Sequence, residues 1–207
     1  MNAGTPTVYI VDDDEAVRRS LAMLLGLQGF STRIFASGEE FLAGYAPEWA
    51  GCLLLDLRMP GMSGLALQSA LAERGIKLPI IVITAHGDVA AARAMLTAGA
   101  LDFLEKPLEE SQLLAAIRKA LQRDAEHRKR ATAVAQTRQW MERLTPRERE
   151  VLDLVVAGRH NREIAAELGI SVRTVEVYKA HAMEKLRVER LPDLIRLVLM
   201  VRGENGK

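Results

Sequence analysis

The sequence predicts an α/β fold, a doubly wound five-stranded parallel sheet, followed by a C-terminal all-α domain that contains a helix-turn-helix and is joined to the first by a long helical linker. Three observations carry this. Short runs that are apolar at every position, such as Cys52–Leu55, alternate with segments of helical periodicity up to about residue 108, as expected for strands buried on both faces by crossover helices. Beyond that point the strand-like runs cease and only helical patterns remain. Charge also divides the chain: residues 1–108 hold 8 Lys/Arg against 12 Asp/Glu, and residues 109–207 hold 20 against 15. In a chain of 207 residues, 49% apolar, that pattern fits two small domains, the second suited to a polyanion.

The elements follow in order. Val8–Val11 is a buried strand ending in Asp12-Asp13-Asp14, and Val17, Leu21, Leu24 and Leu25 share one face of a helix that closes near Gly29. Ser31–Phe35 is a weaker strand, and Ser37-Gly38-Glu39-Glu40 has capping-box spacing at the start of the next helix. The third strand runs through Cys52–Leu55 into Asp56 and the loop Met59-Pro60-Gly61-Met62, after which Ser63 caps a helix to about Glu73. Pro79–Ile83 is a fourth strand ending in Thr84; Asp88 caps an alanine-rich helix that stops at Gly99. Leu101–Leu104 is a fifth strand ending at Glu105-Lys106-Pro107. Cys52, the only cysteine, excludes an internal disulfide. No signal segment and no apolar run long enough to span a bilayer is evident, so the expected setting is the cytoplasm.

Polar residues stand at four of the strand ends: Asp12 and Asp13, Asp56, Thr84 and Lys106. In a flavodoxin-like strand order all five converge on one switch point. Three close carboxylates repel one another unless a cation compensates. Magnesium does so with oxygen ligands and retained waters, Lys106 adds a second positive charge and Thr84 a hydroxyl. What such a set lacks is a tetrahedral anion on Asp56, and an aspartate can attack phosphorus to form an acyl phosphate.

With Asp12-Asp13, Asp56 before Met59-Pro60-Gly61-Met62-Ser63-Gly64, Thr84-Ala85, Phe103 and Lys106-Pro107, residues 6 to about 122 resemble the receiver domain of bacterial two-component response regulators. The resemblance implies that Asp56 accepts a phosphoryl group from a sensor histidine kinase. It implies that Asp12, Asp13, Asp56 and the Arg58 backbone carbonyl hold Mg2+, and that Thr84 and Lys106 grip the phosphoryl oxygens. Phe103 would be an aromatic switch that turns inward as Thr84 moves toward the phosphate, the Lys106-Pro107 bond would be cis, and Arg58 would tune phosphate lifetime. His86 is read as shaping its loop, and Met59 and Met62 as packing.

Glu109 onward reads as a helix with Leu113, Leu114, Ile117 and Leu121 on one face, and residues 122–141, free of Gly and Pro, continue it as a linker. Ala131, Val134, Arg138 and Met141 form a thin stripe suited to pairing two chains. Thr145, Pro146 and Glu148 then start a helix with capping-box chemistry, with Val151, Leu152, Leu154 and Val155 inward. Asn161 caps a second helix, Gly169-Ile170-Ser171 is a tight turn, Ser171 caps a third helix to about Leu186, and a fourth begins near Pro192. Through Leu144–Leu152, Asn161-Arg162-Glu163-Ile164-Ala165 and Ser171–Tyr178, residues 144–202 resemble the LuxR-type DNA-binding domain, which with the receiver resembles the FixJ-like branch of response regulators. The expected division is 1–121 receiver, 122–141 linker and 142–207 DNA-binding domain. On family geometry Arg173, Glu176, Val177 and Ala180 face bases, and Thr174, Tyr178, Lys179 and Lys185 lie nearer phosphates; Glu176 and Ala180 stand where relatives carry lysines.

The expected activity is transcriptional regulation, by activation, through a homodimer formed on phosphorylation, with promoter DNA and RNA polymerase as further partners. Two other classes compete. An aspartyl phosphatase or phosphotransferase of the haloacid-dehalogenase type would place a second Asp two residues after Asp56, where Arg58 stands, so the chain is read as no enzyme. A regulator whose tail binds polymerase in place of DNA would share the helix-turn-helix.

Overall fold

The computed structural model describes residues 5–85 and 89–204; the expected cap Asp88, together with His86, lies outside them. Strands β1 (Thr7–Val11), β2 (Ser31–Phe35), β3 (Gly51–Asp56), β4 (Ile80–Thr84) and β5 (Asp102–Glu105) alternate with helices α1 (Glu15–Leu27), α2 (Gly38–Gly44), α3 (Gly64–Glu73), α4 (Val89–Thr97) and α5 (Glu110–Glu142). All neighbouring strands pair in parallel, in the order β2-β1-β3-β4-β5. The chain therefore reverses its direction of winding between β1 and β3, the switch point of a flavodoxin-like sheet. β5 begins one residue later than the apolar pattern suggested, at Asp102.

The pleat explains why β3 is apolar throughout. Leu53 and Leu55 point into one core with Tyr9, Val11, Phe41, Leu67 and Val82. Cys52 and Leu54 point into the other with Val8, Ile10, Leu25, Ile81 and Ile117. Successive side chains leave opposite faces, and helices cover both, so no position in the run can be polar. Burial pushes the Cys52 thiol up to about 12, which leaves it a small core hydrophobe.

Local caps set the helix starts. Asp14 accepts the Ala16 and Val17 amides, and Ser63 accepts the Ala66 amide at 3.2 Å. Ser37 accepts the Glu40 amide at 3.2 Å, but the reciprocal bond of the expected box is shifted by one residue: the Glu40 carboxylate accepts from Ala36 at 2.6 Å. α5 is one helix of 33 residues, spanning the stretch expected as linker. In its middle, Asp124 accepts the Gly51 amide at 2.9 Å, and Arg128 donates to the Trp49 and Glu48 carbonyls at 2.8 and 2.7 Å.

Contacts divide the chain into two compact units, Met1–Arg128 and Lys129–Lys207. The second unit packs α6 (Pro146–Val156), α7 (Asn161–Leu168), α8 (Val172–Lys185) and α9 (Leu191–Glu204) around Val151, Leu152, Ile164, Val175, Leu186, Leu194 and Val198. Thr145 and Glu148 form the complete capping box of α6. Asn161 is not the cap of α7, as the sequence suggested; it is the first helical residue, and His160 occupies the cap with its amide donating to Glu163 at 2.7 Å. Gly169, at φ 67°, makes the left-handed turn into α8, whose cap is Ser171.

Candidate functional site

The carboxyl ends of β1, β3, β4 and β5 bring the predicted polar residues to one rim. Asp12 follows β1, Asp56 ends β3, Thr84 ends β4, and Lys106 follows β5. The centre of the site is the Lys106 ammonium, whose Nζ lies 3.0 Å from Asp12 Oδ2 and 2.7 Å from Asp56 Oδ1. Each carboxylate also has its second oxygen oriented by backbone: Asp12 Oδ1 accepts the Asp14 amide at 2.9 Å, and Asp56 Oδ2 accepts the Arg58 amide at 2.7 Å. Asp12 is 1% exposed and Asp56 6%. Burial pushes the Asp56 carboxyl above its usual range even though Lys106 pulls it down. Burial draws Lys106 downward, but the two acids facing it win and hold the ammonium above its ordinary value.

The remaining residues stand at the margin. Asp13 is exposed beside Asp12. Thr84 is buried, with its hydroxyl donating to the Ala85 carbonyl at 3.2 Å. Phe103 is 36% exposed on β5. The Lys106-Pro107 bond is cis. One contributor, Arg18, was missed in the sequence, and Gly64 was read only as part of the motif after Asp56. Arg18 Nη1 donates to the Asp12 carbonyl at 2.6 Å, bracing the β1 end; its place one turn into α1 was the available signal. Gly64 lies so close to β3 that a Cβ there would meet the Asp56 carbonyl oxygen at 2.5 Å. No pattern of polar residues marks that contact.

Among the described residues, no group of three or more His, Cys, Asp or Glu side chains is arranged to hold a metal ion. Two buried carboxylates against one ammonium nonetheless suit a hard cation, because Mg2+ takes one or two carboxylates and fills its shell with waters and phosphate oxygens. The donor set therefore fits the ion.

In the second unit α8 sorts its residues by face. Arg173, Glu176, Val177 and Ala180, spaced three, four and seven apart, are all exposed, while Val175, Ala182 and Leu186 are buried. Thr174, Tyr178 and Lys179 flank the exposed stripe, half-buried. Lys185 is turned elsewhere: its Nζ lies 2.8 and 2.6 Å from the two oxygens of Glu148, a carboxylate only 3% exposed. Burial resists ionisation of Glu148, but Lys185 and the Thr145 cap outweigh it and hold the carboxyl below its usual range. Lys185 thus ties α8 to α6.

The model of the response regulator receiver domain matches residues 8–118. The chain belongs to the response regulator family. A second model, the luxR family of bacterial regulatory proteins, matches residues 142–198. The transcriptional regulatory protein FixJ of Azorhizobium caulinodans is 44% identical over 93% of this chain and 92% of its own length. FixJ of Rhizobium meliloti is 46% identical over 93% and 95%. The response regulator protein TodT of Pseudomonas putida F1 is 41% identical over 95% and 87%. Among solved structures, the response regulator StyR superposes with a TM-score of 0.81 at 45% identity, over 94% of this chain and 98% of that one. Full-length FixJ from B. japonicum gives 0.58 at 36% identity, over 96% and 98%. This response regulator is therefore FixJ-like: a receiver followed by a LuxR-type DNA-binding domain, the make-up of a DNA-binding transcriptional regulator. Its relatives are transcriptional regulators, and no helix among the described residues is long and apolar enough to cross a membrane.

Proposed function

We propose that the regulator is switched by phosphorylation of Asp56 by a sensor histidine kinase in the cytoplasm. The observation that carries this is the Lys106 ammonium held between Asp12 and Asp56 at the sheet's switch point. An aspartate oxygen attacks the phosphorus of a phosphohistidine, the P–N bond breaks, and the phosphoryl group passes to Asp56. Mg2+ would be held by Asp12, Asp13, Asp56 and the Arg58 carbonyl, where it supplies charge for the phosphoryl oxygens. Lys106 exchanges its bond to Asp56 for a phosphoryl oxygen. The Thr84 hydroxyl leaves the Ala85 carbonyl for another, and Phe103 turns into the space that opens.

That rearrangement reshapes the face of α4, β5 and α5, and two receivers pair through it. Residues 1–121 act as receiver, 122–141 as linker and 142–207 as DNA-binding domain. The paired α8 helices read half-sites about one helical turn apart. Arg173, Glu176, Val177 and Ala180 face the bases and Thr174, Tyr178 and Lys179 the phosphates, while Lys185 stays with Glu148. Binding recruits RNA polymerase and activates transcription. A coupling of roughly 1–3 kcal/mol gives a 5- to 150-fold response. An Asp56→Asn chain, given Mg2+ and a small-molecule phosphodonor, is expected to stay in its basal oligomeric state by sedimentation. Donor-driven dimerisation of that variant overturns the proposal.

A further inference from the structure

Of the acids proposed to hold the cation, Asp12 and Asp56 are buried and are fixed by Lys106 and by backbone amides. Asp13 is different. It is exposed, and among the described residues its side chain enters no hydrogen bond or ion pair. The direction in which its carboxylate leaves the chain is therefore set by the two peptide units that flank it. Each of them is held by one hydrogen bond. On the C-terminal side, the Asp14 amide donates to Asp12 Oδ1 at 2.9 Å. On the N-terminal side, the Asp12 carbonyl accepts from Arg18 Nη1 at 2.6 Å, a charge-assisted contact of the stronger kind. Arg18 is half-buried one turn into α1, whose start the Asp14 cap fixes. Arg19, beside it, belongs to the surface: it pairs with Glu15 at 2.6 Å, and both side chains are largely exposed.

We infer that Arg18 is a positioning residue for the divalent-cation site: by holding the plane of the Asp12-Asp13 peptide, it aims Asp13 at the ion. The inference rests on the phosphorylation reading above and adds a residue to it. A peptide unit is planar, so a bond to the Asp12 carbonyl fixes the whole unit as far as the Asp13 Cα. With the next unit held by Asp12 Oδ1, both backbone torsions of Asp13 are set, and with them the direction of its Cα–Cβ bond. Without Arg18 one of the two planes can turn, and an arriving cation must order it at an entropic cost. Groups that orient metal ligands from behind in this way are typically worth 10- to 100-fold in metal affinity. Charge acts in the opposite sense. A guanidinium repels a cation, so removing its charge without disturbing Asp13 would tighten binding. The two effects differ in sign, which makes substitution of Arg18 decisive.

The test is Mn2+ binding to the full chain, followed by the electron paramagnetic resonance signal of the free ion; Mn2+ takes the same oxygen ligands as Mg2+. Arg18→Met and Arg18→Gln are each expected to weaken binding about tenfold. Arg19→Met, which removes the neighbouring charge, is expected to bind at least as tightly as the parent. At saturating Mg2+, both Arg18 variants are expected to take a phosphoryl group from a small-molecule phosphodonor at close to the parent rate, which a general loss of fold would not allow. A parent chain that binds no Mn2+, or takes no phosphoryl group, overturns the phosphorylation reading and this inference with it. With a parent that does both, the inference alone is overturned by an Arg18 variant that binds Mn2+ as tightly as the parent, by an equal loss in Arg19→Met, or by a phosphorylation rate that stays low at saturating Mg2+.

Discussion

Asp56 is an acid kept at a cost. It is buried, its carboxyl is held above the usual range by desolvation, and Lys106 offsets only part of that. The sign follows. A carboxyl raised in the fold binds a proton more readily there than in the unfolded chain, so its ionisation opposes folding as pH rises through the raised value. Asp56→Asn keeps the shape, still accepts from Lys106, and removes the desolvated charge. The expected outcome is a rise in unfolding midpoint worth on the order of 1 kcal/mol at neutral pH, measured by thermal melts, together with loss of the phosphodonor response. Gly64 is the opposite case. A methyl group there meets the Asp56 carbonyl at 2.5 Å and the Leu57 Cα at 3.1 Å, both backbone atoms that cannot swing aside. Gly64→Ala is expected to destabilise the receiver by about 1–3 kcal/mol, read from denaturant midpoints.

At the scale of elements, α6 and α8 are joined through one buried acid. Glu148 closes the capping box of α6 and accepts both contacts from Lys185 of α8. Its carboxyl is lowered in the fold, so its contribution is complete above the ordinary value of 4.5 and is lost as pH falls through the lower native one. A Lys185→Gln chain should therefore show a shallower loss of second-unit stability below about pH 4.5 than the parent, followed by amide exchange of α8. Thr145→Ala, which removes the cap alone, is expected to cost about 1 kcal/mol. On the exposed face of α8, Arg173→Ala leaves packing untouched because the side chain is exposed. It should lower affinity for the preferred site by roughly 1–3 kcal/mol while sparing non-specific binding, as a gel-shift competition would report.

For the whole molecule, modest charge sets the limits. Residues 145–207 carry 12 Lys/Arg against 10 Asp/Glu, an excess of only two. One such domain neutralises few phosphates and should bind weakly with a shallow salt dependence. Two on the same duplex bind with the avidity that a tether confers. The expected result is that phosphodonor treatment steepens the dependence of binding on salt, by about twofold in slope, as it raises affinity. An unchanged slope would place the switch somewhere other than in the number of domains on the DNA.

The alternation of strands and helices and the rim residues Asp12, Asp56, Thr84 and Lys106 were legible in the residues themselves, whereas the stripe from Arg173 to Ala180 came from the resemblance to LuxR-type domains. The first two each rest on a local rule: periodicity follows from backbone geometry, and a parallel strand delivers its last residue to one rim whatever lies around it. What required the fold is every contact made by residues distant in the chain. Only the tertiary structure shows Lys106 between two acids, Lys185 paired with Glu148, and Gly64 pressed against β3. Those partners come from different elements, and no periodicity along the chain encodes which side chain a folded neighbour will place beside another.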